Sequence, residues 1–202
     1  ANFLLAAECV YIDQATQKYH LLMRRGEDLY QVVARKHDLD QSEVQTLVSC
    51  FDKARRYLAF QNCGHCDIKP ENLVLLDGQW YLIDFGLCNT PTGGTPLYYA
   101  PLSPNAPLIA RDIWSFSVCL YVFVYRQIPS WHEPGSMHKP SDCLYRNGVF
   151  DIVAQIQEEF DGPEYPKGSF AFLLRKLIIA GLMMNAHERI RYFGDVVKAI
   201  EN

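Results

Sequence analysis

The chain lacks several features that would place it in a specialised class of protein. Its 202 residues carry a net charge of −4, so no basic surface points to nucleic acid or anionic lipid as a partner. The longest apolar run, residues 114–125, is too short to cross a bilayer and contains two serines. The first residues lack the basic segment that opens a signal peptide. We therefore expect a protein that binds neither nucleic acid nor membrane.

Cysteine is present, but it does not form a framework. The seven cysteines are unevenly spaced, unlike those of small secreted domains, so we expect a reducing, cytoplasmic compartment. Hydrophobic residues make up 49% of the chain and charged residues 21%, which is sufficient for a packed core. The length fits one domain, or one large lobe with a remnant of another.

The predicted elements are two strands, then helices, one hairpin and further helices. Asp40, with Glu43 three residues later, has the spacing of a capping box and predicts the start of a long helix. Asp77-Gly78 between two apolar segments predicts a tight hairpin. A buried helix is expected at 113–125. The other predicted elements are strands at 8–12 and 19–23, a short helix from residue 27, and helices at 149–160, 170–182 and 194–200.

Four polar residues in two neighbouring segments form a pattern suited to phosphoryl transfer. The segments read G-H-C-D-I-K-P-E-N-L-V-L (64–75) and I-D-F-G-L (83–87). Asp67 can accept the proton of a substrate hydroxyl, and Lys69 can reach a transferred phosphate as a point charge. Asn72 and Asp84 offer hard oxygen ligands on either side of the hairpin, which suit Mg²⁺.

These motifs resemble the catalytic loop and the D-F-G segment of eukaryotic-type protein kinases in their Ser/Thr form. The resemblance runs from about residue 8 to the end of the chain. It implies an α+β kinase-like fold, with two strands and a hinge from a truncated N-terminal lobe in residues 1–25 and a mainly helical C-terminal lobe in residues 26–202. It also implies transfer of the ATP γ-phosphate to a Ser or Thr hydroxyl of a protein, with ATP and Mg²⁺ as cofactors.

The resemblance assigns roles to individual residues. Asp67 is expected to be the catalytic base, Lys69 to steady the phosphate, and Thr95 to bond to both of them. Asn72 and Asp84 are expected to hold magnesium. The residues expected to contact the nucleotide are Leu22, Met23, Glu71, Asn72, Val74 and Asp84.

Other residues are expected to support this site. Asp112 should bond to the backbone of the catalytic loop, and His65 and Phe85 should be buried packing residues. Glu71 matches a position that contacts basic residues of the substrate in some members of the family, so we expect a substrate with basic flanks. Asp151 and the acidic patch at 158–161 could add to this preference, although a solvated acidic helix face is the better explanation of the patch.

Two residues depart from the family pattern. Cys66 stands where the family has an Arg that pairs with a phosphate on the activation loop, so we expect any activity to be independent of phosphorylation in that loop. Leu102 stands where the family has a Glu that pairs with a late Arg, here Arg189. Because a buried, unpaired Arg is costly, we expect Arg189 to find another acceptor or to reach solvent.

The chain also opens late relative to the family. It contains no glycine-rich loop for the phosphates and no strand lysine for the α- and β-phosphates, and its first lysine is Lys18. We expect either a piece of a longer kinase, which the non-Met start at Ala1 favours, or a naturally abbreviated kinase. A partner that supplies the missing N-terminal elements is a further expectation.

Three other functions have some support in the sequence. The main alternative is an inactive kinase mimic that binds a partner, since its motifs would look intact by descent. The segment 63–66, C-G-H-C, resembles the active site of thioredoxin-fold disulfide isomerases, but it closes a predicted helix instead of opening one. A zinc site is disfavoured because Cys63, Cys66 and Cys88 lack a fourth ligand at ordinary spacing.

Overall fold

The computed structural model describes residues 3–36, 39–101, 105–133, 135, 140–160 and 163–201. Within these residues, five strands and six α-helices confirm the α+β fold. The strands are β1 (Cys9–Asp13), β2 (Lys18–Leu22), β3 (Glu27–Asp28), β4 (Leu73–Leu76) and β5 (Gln79–Leu82). The helices are α1 (Leu29–Lys36), α2 (Gln41–Phe60), α3 (Leu108–Tyr125), α4 (Asp142–Phe160), α5 (Phe170–Gly181) and α6 (Ala186–Glu201).

The first two strands form an isolated antiparallel hairpin. Cys9 pairs with Leu22 and Asp13 with Lys18, each strand lying within one residue of its predicted bounds. Apolar side chains of both strands face solvent, and Tyr19 is 74% exposed. The hairpin therefore contributes little to the core.

A second sheet, in the order β3-β4-β5, brings together the ends of the two sequence motifs. Asp77 and Gly78 join β4 to β5, and their φ angles of 51° and 76° are those of the predicted tight turn. Leu73, which follows Asn72, pairs with Leu82, which lies two residues before Asp84. Continuing this register places Asn72 opposite Ile83, the residue directly before Asp84.

Helix α2 leads the chain into the catalytic loop. The predicted capping box is confirmed: the Asp40 side chain accepts the Glu43 N–H, and the Glu43 side chain accepts the Asp40 N–H. The apolar face of α2 packs against α3, where the rings of Phe51 and Phe116 stack 4.0 Å apart. The helix ends at Phe60, and Asn62 with φ 53° turns the chain toward the loop.

Helix α3 is the central element of the core. It begins at Leu108, five residues before the predicted start, and thirteen of its eighteen residues are buried. By length and composition alone this helix would be long enough to cross a membrane, contrary to the prediction from the apolar run. Since 72% of it is buried among the other elements, its apolar character is that of a core helix.

Three further predicted helix starts are wrong. Helix α1 begins at Leu29, since the preceding two residues pair with β4 as β3. Helix α4 begins at Asp142, seven residues before its predicted start. Helix α6 begins at Ala186 because the Asn185 side chain accepts the N–H groups of residues 187 and 188, which is an N-cap. Gly194, predicted as a start, lies inside α6.

Candidate active site

The catalytic loop is held in place by a buried carboxylate. The N–H groups of His65 and Cys66 donate to the two oxygens of Asp112, at 2.7 and 2.9 Å. These bonds fix Cys66 in a left-handed conformation with φ 66°, a strained backbone of the kind found at functional sites. Burial raises the pKa of Asp112 to about 7, although the two N–H bonds oppose the shift. The predicted contact of Asp112 with the loop backbone is thus present.

His65 links the catalytic loop to the segment that carries Asp84. Its ring is fully buried; Nε2 lies 2.9 Å from the carbonyl oxygen of Ile83, and Nδ1 accepts the N–H of Asp67 at 3.3 Å. This geometry fits a neutral ring with its proton on Nε2, and burial lowers the pKa of His65. Phe85 packs edge-on against the ring at 4.9 Å, but it is only partly buried, less than predicted.

Asp67 is the centre of a small polar cluster. The Asp67 carboxylate is 7% exposed, and the Lys69 ammonium lies 2.8 Å from Oδ2. The Thr95 hydroxyl donates to Oδ1 at 2.9 Å, and the Asn72 amide donates to the Asp67 carbonyl oxygen at 2.9 Å. Burial alone would lower the pKa of Lys69, but the hydrogen bond and charge of Asp67 outweigh it and the pKa is raised. Lys69 therefore stays positively charged at neutral pH.

Asp84 lies on the same side of the molecule as this cluster. The N–H of Ile83 donates to the carbonyl oxygen of Asn72 at 3.0 Å, which continues the β4–β5 pairing. The negative charges of Asp67 and Asp84 both act on Lys69 and on the His65 ring. Asp84 is exposed, has φ 61°, and accepts the N–H of Gly86 at 3.2 Å. The carboxylates of Asp67 and Asp84 thus act on the same ammonium group and on the same imidazole ring.

The sequence of the chain matches those of known proteins. The model of the protein kinase domain matches residues 7–194. The chain belongs to the protein kinase family. It is 36% identical over 114 residues to a cGMP-dependent protein kinase of Toxoplasma gondii, covering 52% of this chain and 11% of that protein.

Two other kinases are similar over longer stretches. The liver/testis isoform of the phosphorylase b kinase gamma catalytic chain of Rattus norvegicus is 32% identical over 161 residues, covering 71% of this chain and 37% of that protein. The maternal embryonic leucine zipper kinase of Danio rerio is 30% identical over 135 residues, covering 59% and 20%. The chain therefore spans less than two fifths of the length of these relatives.

Gly26 and Val74 bring the predicted hinge close to the β4 strand. A Cβ atom on Gly26 would lie 2.4 Å from Cγ1 of Val74, so only glycine allows this approach. Val74 is buried at 6% exposure, Met23 is half-buried and Leu22 is exposed. The structure thus places Gly26 against Val74. Contact of Leu22, Met23 and Val74 with a nucleotide stays a prediction.

Glu71 projects toward a pair of tyrosines. Glu71 is exposed, and its charge acts on the hydroxyl groups of Tyr30 and Tyr98, which are 2.8 Å apart. Asp151, the other predicted acidic contact, accepts a hydrogen bond from Ser130 at 2.9 Å. Within the patch at 158–161, Glu159 is ion-paired with Arg175, and residue 161 lies outside the described residues.

Arg189 satisfies its guanidinium group without a carboxylate. It is 2% exposed and donates to the carbonyl oxygens of Met183 and Ala110, both at 2.8 Å. Its guanidinium also lies 5.0 Å from the Trp114 ring centre. Burial lowers the pKa of Arg189 to about 10, and in the described part of the chain no carboxylate pairs with it. The expectation of another acceptor is confirmed, while Leu102 lies outside the described residues.

The sequence analysis missed a cation beside position 66. Arg111 precedes Asp112 in α3, and its Nη1 donates to the carbonyl oxygen of Pro91, in the loop between Asp84 and Thr95. Arg111 is 9% exposed, its charge acts on the Cys66 thiol, and its Nε has no hydrogen-bond partner among the described residues. A charged residue directly before Asp112 at the start of an apolar helix was the available signal.

The structure disfavours two of the alternative functions. Segment 63–66 follows a helix, and burial raises the pKa of Cys66 to about 11, which is the opposite of a reactive redox thiolate. Across the described ranges, no three His, Cys, Asp or Glu side chains form the kind of cluster that a zinc site needs.

Proposed function

We propose that this chain carries the catalytic centre of a Ser/Thr protein kinase, which transfers the ATP γ-phosphate to a protein hydroxyl. The observation that supports this most strongly is the environment of Asp67. One carboxylate oxygen accepts the Thr95 hydroxyl and the other faces the Lys69 ammonium. The carboxylate is therefore fixed in orientation and already beside a cation, as a base for an incoming hydroxyl requires.

The residues present fit a magnesium ion. The side-chain nitrogen of Asn72 donates to Asp67, which leaves the side-chain oxygen Oδ1 of Asn72 as a metal ligand. Asp84, which follows the hairpin, offers an exposed carboxylate as the second ligand. Two hard oxygen ligands suit Mg²⁺, which keeps several waters and takes its remaining ligands from phosphate oxygens. Bound Mg²⁺–ATP would supply the phosphoryl group and neutralise the charge that develops on it.

The chain's own residues then divide the remaining work. Asp67 accepts the proton of the substrate hydroxyl, an effect worth about 10² to 10⁴ in rate. Lys69, whose raised pKa keeps it charged, places a positive charge beside the transferred group. Thr95 keeps Asp67 from rotating away from the hydroxyl. Lys69, two residues after the base, favours Ser or Thr as the acceptor.

We also propose that the substrate carries basic flanks. Glu71 is exposed, its charge acts on the Tyr30–Tyr98 pair, and it lies in the same 3₁₀ turn as Asn72. A carboxylate with two phenol hydroxyls nearby suits an arginine or lysine of a peptide. Asp151 and Glu159 already have partners in Ser130 and Arg175, which favours Glu71 for this purpose.

Activity is proposed not to require phosphorylation of Thr90, Thr92 or Thr95. Arg111 already bonds to the backbone of Pro91, between two of these threonines, and the Thr95 hydroxyl is used by Asp67. The loop is thus fixed by contacts that need no phosphate.

We further propose a reducing intracellular compartment as the setting of this protein. Free thiols at all seven cysteines, which lie in the described part of the chain, support it.

The experiment is phosphate transfer from labelled ATP to Ser peptides, using the full chain with any residues that precede Ala1 in the natural protein. We expect Mg²⁺-dependent labelling that falls at least about 100-fold in Asp67→Asn. Asp195→Asn, an exposed change in α6, is the matched control and should keep full activity. Equal labelling by Asp67→Asn would contradict the proposed base, and a preference for acidic peptides would contradict the proposed flanks.

A binding module is the second candidate, and the exposed β1–β2 hairpin favours it. Large apolar side chains such as Val10, Tyr19 and Leu21 are more than half exposed, which indicates a surface for strands from upstream residues or from a partner. A pure module would bind its partner equally well after Asp67→Asn and would show no response to Mg²⁺–ATP. Partner binding lost only on Tyr19→Ser, with no phosphate transfer by wild type, would favour the module over the enzyme.

A further inference from the structure

We propose that Cys63 and Cys88 are a modification site: a peroxide converts them into a reversible disulfide that joins the two segments carrying Asp67 and Asp84. Cys63 lies four residues before Asp67, and Cys88 lies four residues after Asp84. The inference goes beyond the proposed function, and it does not depend on kinase activity.

The two segments are already tied together by a compact set of hydrogen bonds. The N–H of Gly64 donates to the Asn89 side chain, and the N–H of Asn89 donates back to the Gly64 carbonyl oxygen, both at 2.9 Å. The Cys88 thiol lies 3.1 Å from that same carbonyl oxygen. The Asn89 amide lies 3.2 Å from the Cys63 sulfur. The backbone at residues 63–64 and 88–89 is therefore held in register.

The two thiols are themselves neighbours and accessible. The Asn89 side chain contacts the Cys63 sulfur, and Asn89 directly follows Cys88 in the chain. Both cysteines are half-buried, so a small oxidant can reach them. Cys66, the third cysteine nearby, is 8% exposed and stays a thiol at neutral pH. Cys9 and Cys143 are exposed but lie on other elements, in β1 and α4. The geometry thus selects one pair.

The chemistry begins at Cys63. The Asn89 amide donates toward the Cys63 sulfur and holds it beside the segment that carries Cys88, whose pKa is raised by burial. The Cys63 thiolate attacks one oxygen of hydrogen peroxide, the O–O bond breaks and hydroxide leaves, giving a sulfenic acid. The Cys88 sulfur then attacks the Cys63 sulfur, its proton and the departing hydroxide forming water. Two thiols lose two electrons in total, and one peroxide becomes two waters.

The disulfide would restrict motion at the site. It would join the entry of the catalytic loop to the loop that follows Asp84, so segment 86–94 would exchange its amide hydrogens more slowly. A thiol reductant would reverse the change. The consequence is measurable by hydrogen exchange whether or not the chain transfers phosphate.

The experiment maps the disulfide after mild treatment of the native protein with hydrogen peroxide. A protease that cleaves before Asp releases residues 52–66 and 84–111 as separate peptides, so their covalent pairing is read directly by mass spectrometry. Because Cys66 shares the first peptide with Cys63, the mapping is repeated in Cys66→Ser. We expect the linked peptides in wild type and Cys66→Ser, and their loss in Cys63→Ser and in Cys88→Ser.

The outcomes are distinct. Linkage that persists in Cys63→Ser but disappears in Cys66→Ser would overturn the pairing, as would oxidised protein in which both cysteines remain free thiols. Cys143→Ser serves as the control for an exposed cysteine and should leave the linked pair unchanged. Protein oxidised in denaturant should lose the selectivity, and equal selectivity there would show that the fold does not direct the reaction.

Discussion

The buried carboxylate of Asp112 gives the protein a pH-dependent stability that can be measured directly. Burial raises the pKa of Asp112 from the ordinary 3.8 to about 7, so between these pH values the folded chain keeps a proton that the unfolded chain has released. The free energy of unfolding therefore falls as the pH rises through this window, by up to about 1.4 kcal/mol per pH unit from this one group. Above pH 7 the loss is complete.

Asp112→Asn isolates this contribution, since the amide resembles the protonated acid and does not titrate. His65 acts in the opposite direction: burial lowers its pKa, so its contribution to stability is lost as the pH falls below 6.5. The quantity to compare is therefore the stability of wild type minus that of Asp112→Asn, in which the His65 contribution cancels.

The assay is denaturant unfolding of both proteins at pH values from about 4.5 to about 8, in steps of about half a pH unit. We expect wild type to lose stability relative to Asp112→Asn as the pH rises. A difference that stays constant would show that the N–H bonds from His65 and Cys66 keep the carboxylate ionised throughout, and that our reasoning about burial is wrong.

Three further substitutions test packing and loop contacts. Arg189→Met should lower the free energy of unfolding, by about 1 to 3 kcal/mol for each buried carbonyl left without a donor, and unchanged stability would contradict this. Gly181→Ala should lower the free energy of unfolding by about 1 to 3 kcal/mol, because the new Cβ would lie 1.7 Å from the hydroxyl of Ser117 in α3. Gly194→Ala, whose new Cβ would have its nearest atom at 3.5 Å, should leave the stability unchanged or raise it. Equal melting temperatures of the two variants would contradict this difference. Arg111→Ser should speed amide hydrogen exchange in segment 87–95. Adding Cys66→Arg to this variant should restore the slow exchange, because an arginine at position 66 would replace the lost cation. Exchange that stays fast in the double variant would contradict the idea that Arg111 takes the place of the arginine that the family has at position 66.

Local signals in the sequence predicted much of the fold. The capping box at Asp40 and the turn at Asp77-Gly78 depend on residues within a few positions of each other, and both are present as expected. The start of α6 was wrong because Gly194 was read as a boundary, while the actual N-cap, Asn185, lies nine residues earlier. The start of α1 was wrong because pairing with β4 converts two residues into a strand, which is a tertiary effect.

The site was predictable for a related reason. Asp67, Lys69, Asn72 and Asp84 are near in sequence, and one hairpin brings them together. Contacts between segments that are distant in sequence were harder to predict. Arg111 reaches Pro91 only because α3 passes under the loop, and its role has no local signature beyond an odd charge at the start of an apolar helix.

The central claim is that Asp84 and Asn72 hold a magnesium–nucleotide complex beside Asp67. The most direct measurement is the melting temperature of the full chain with ATP, with and without Mg²⁺, in wild type, Asp84→Ala and the exposed control Asp195→Ala. The account predicts a rise in melting temperature that needs both ATP and Mg²⁺, disappears in Asp84→Ala and persists in Asp195→Ala. A rise of the same size in Asp84→Ala, or none in wild type at saturating Mg²⁺–ATP, would contradict it.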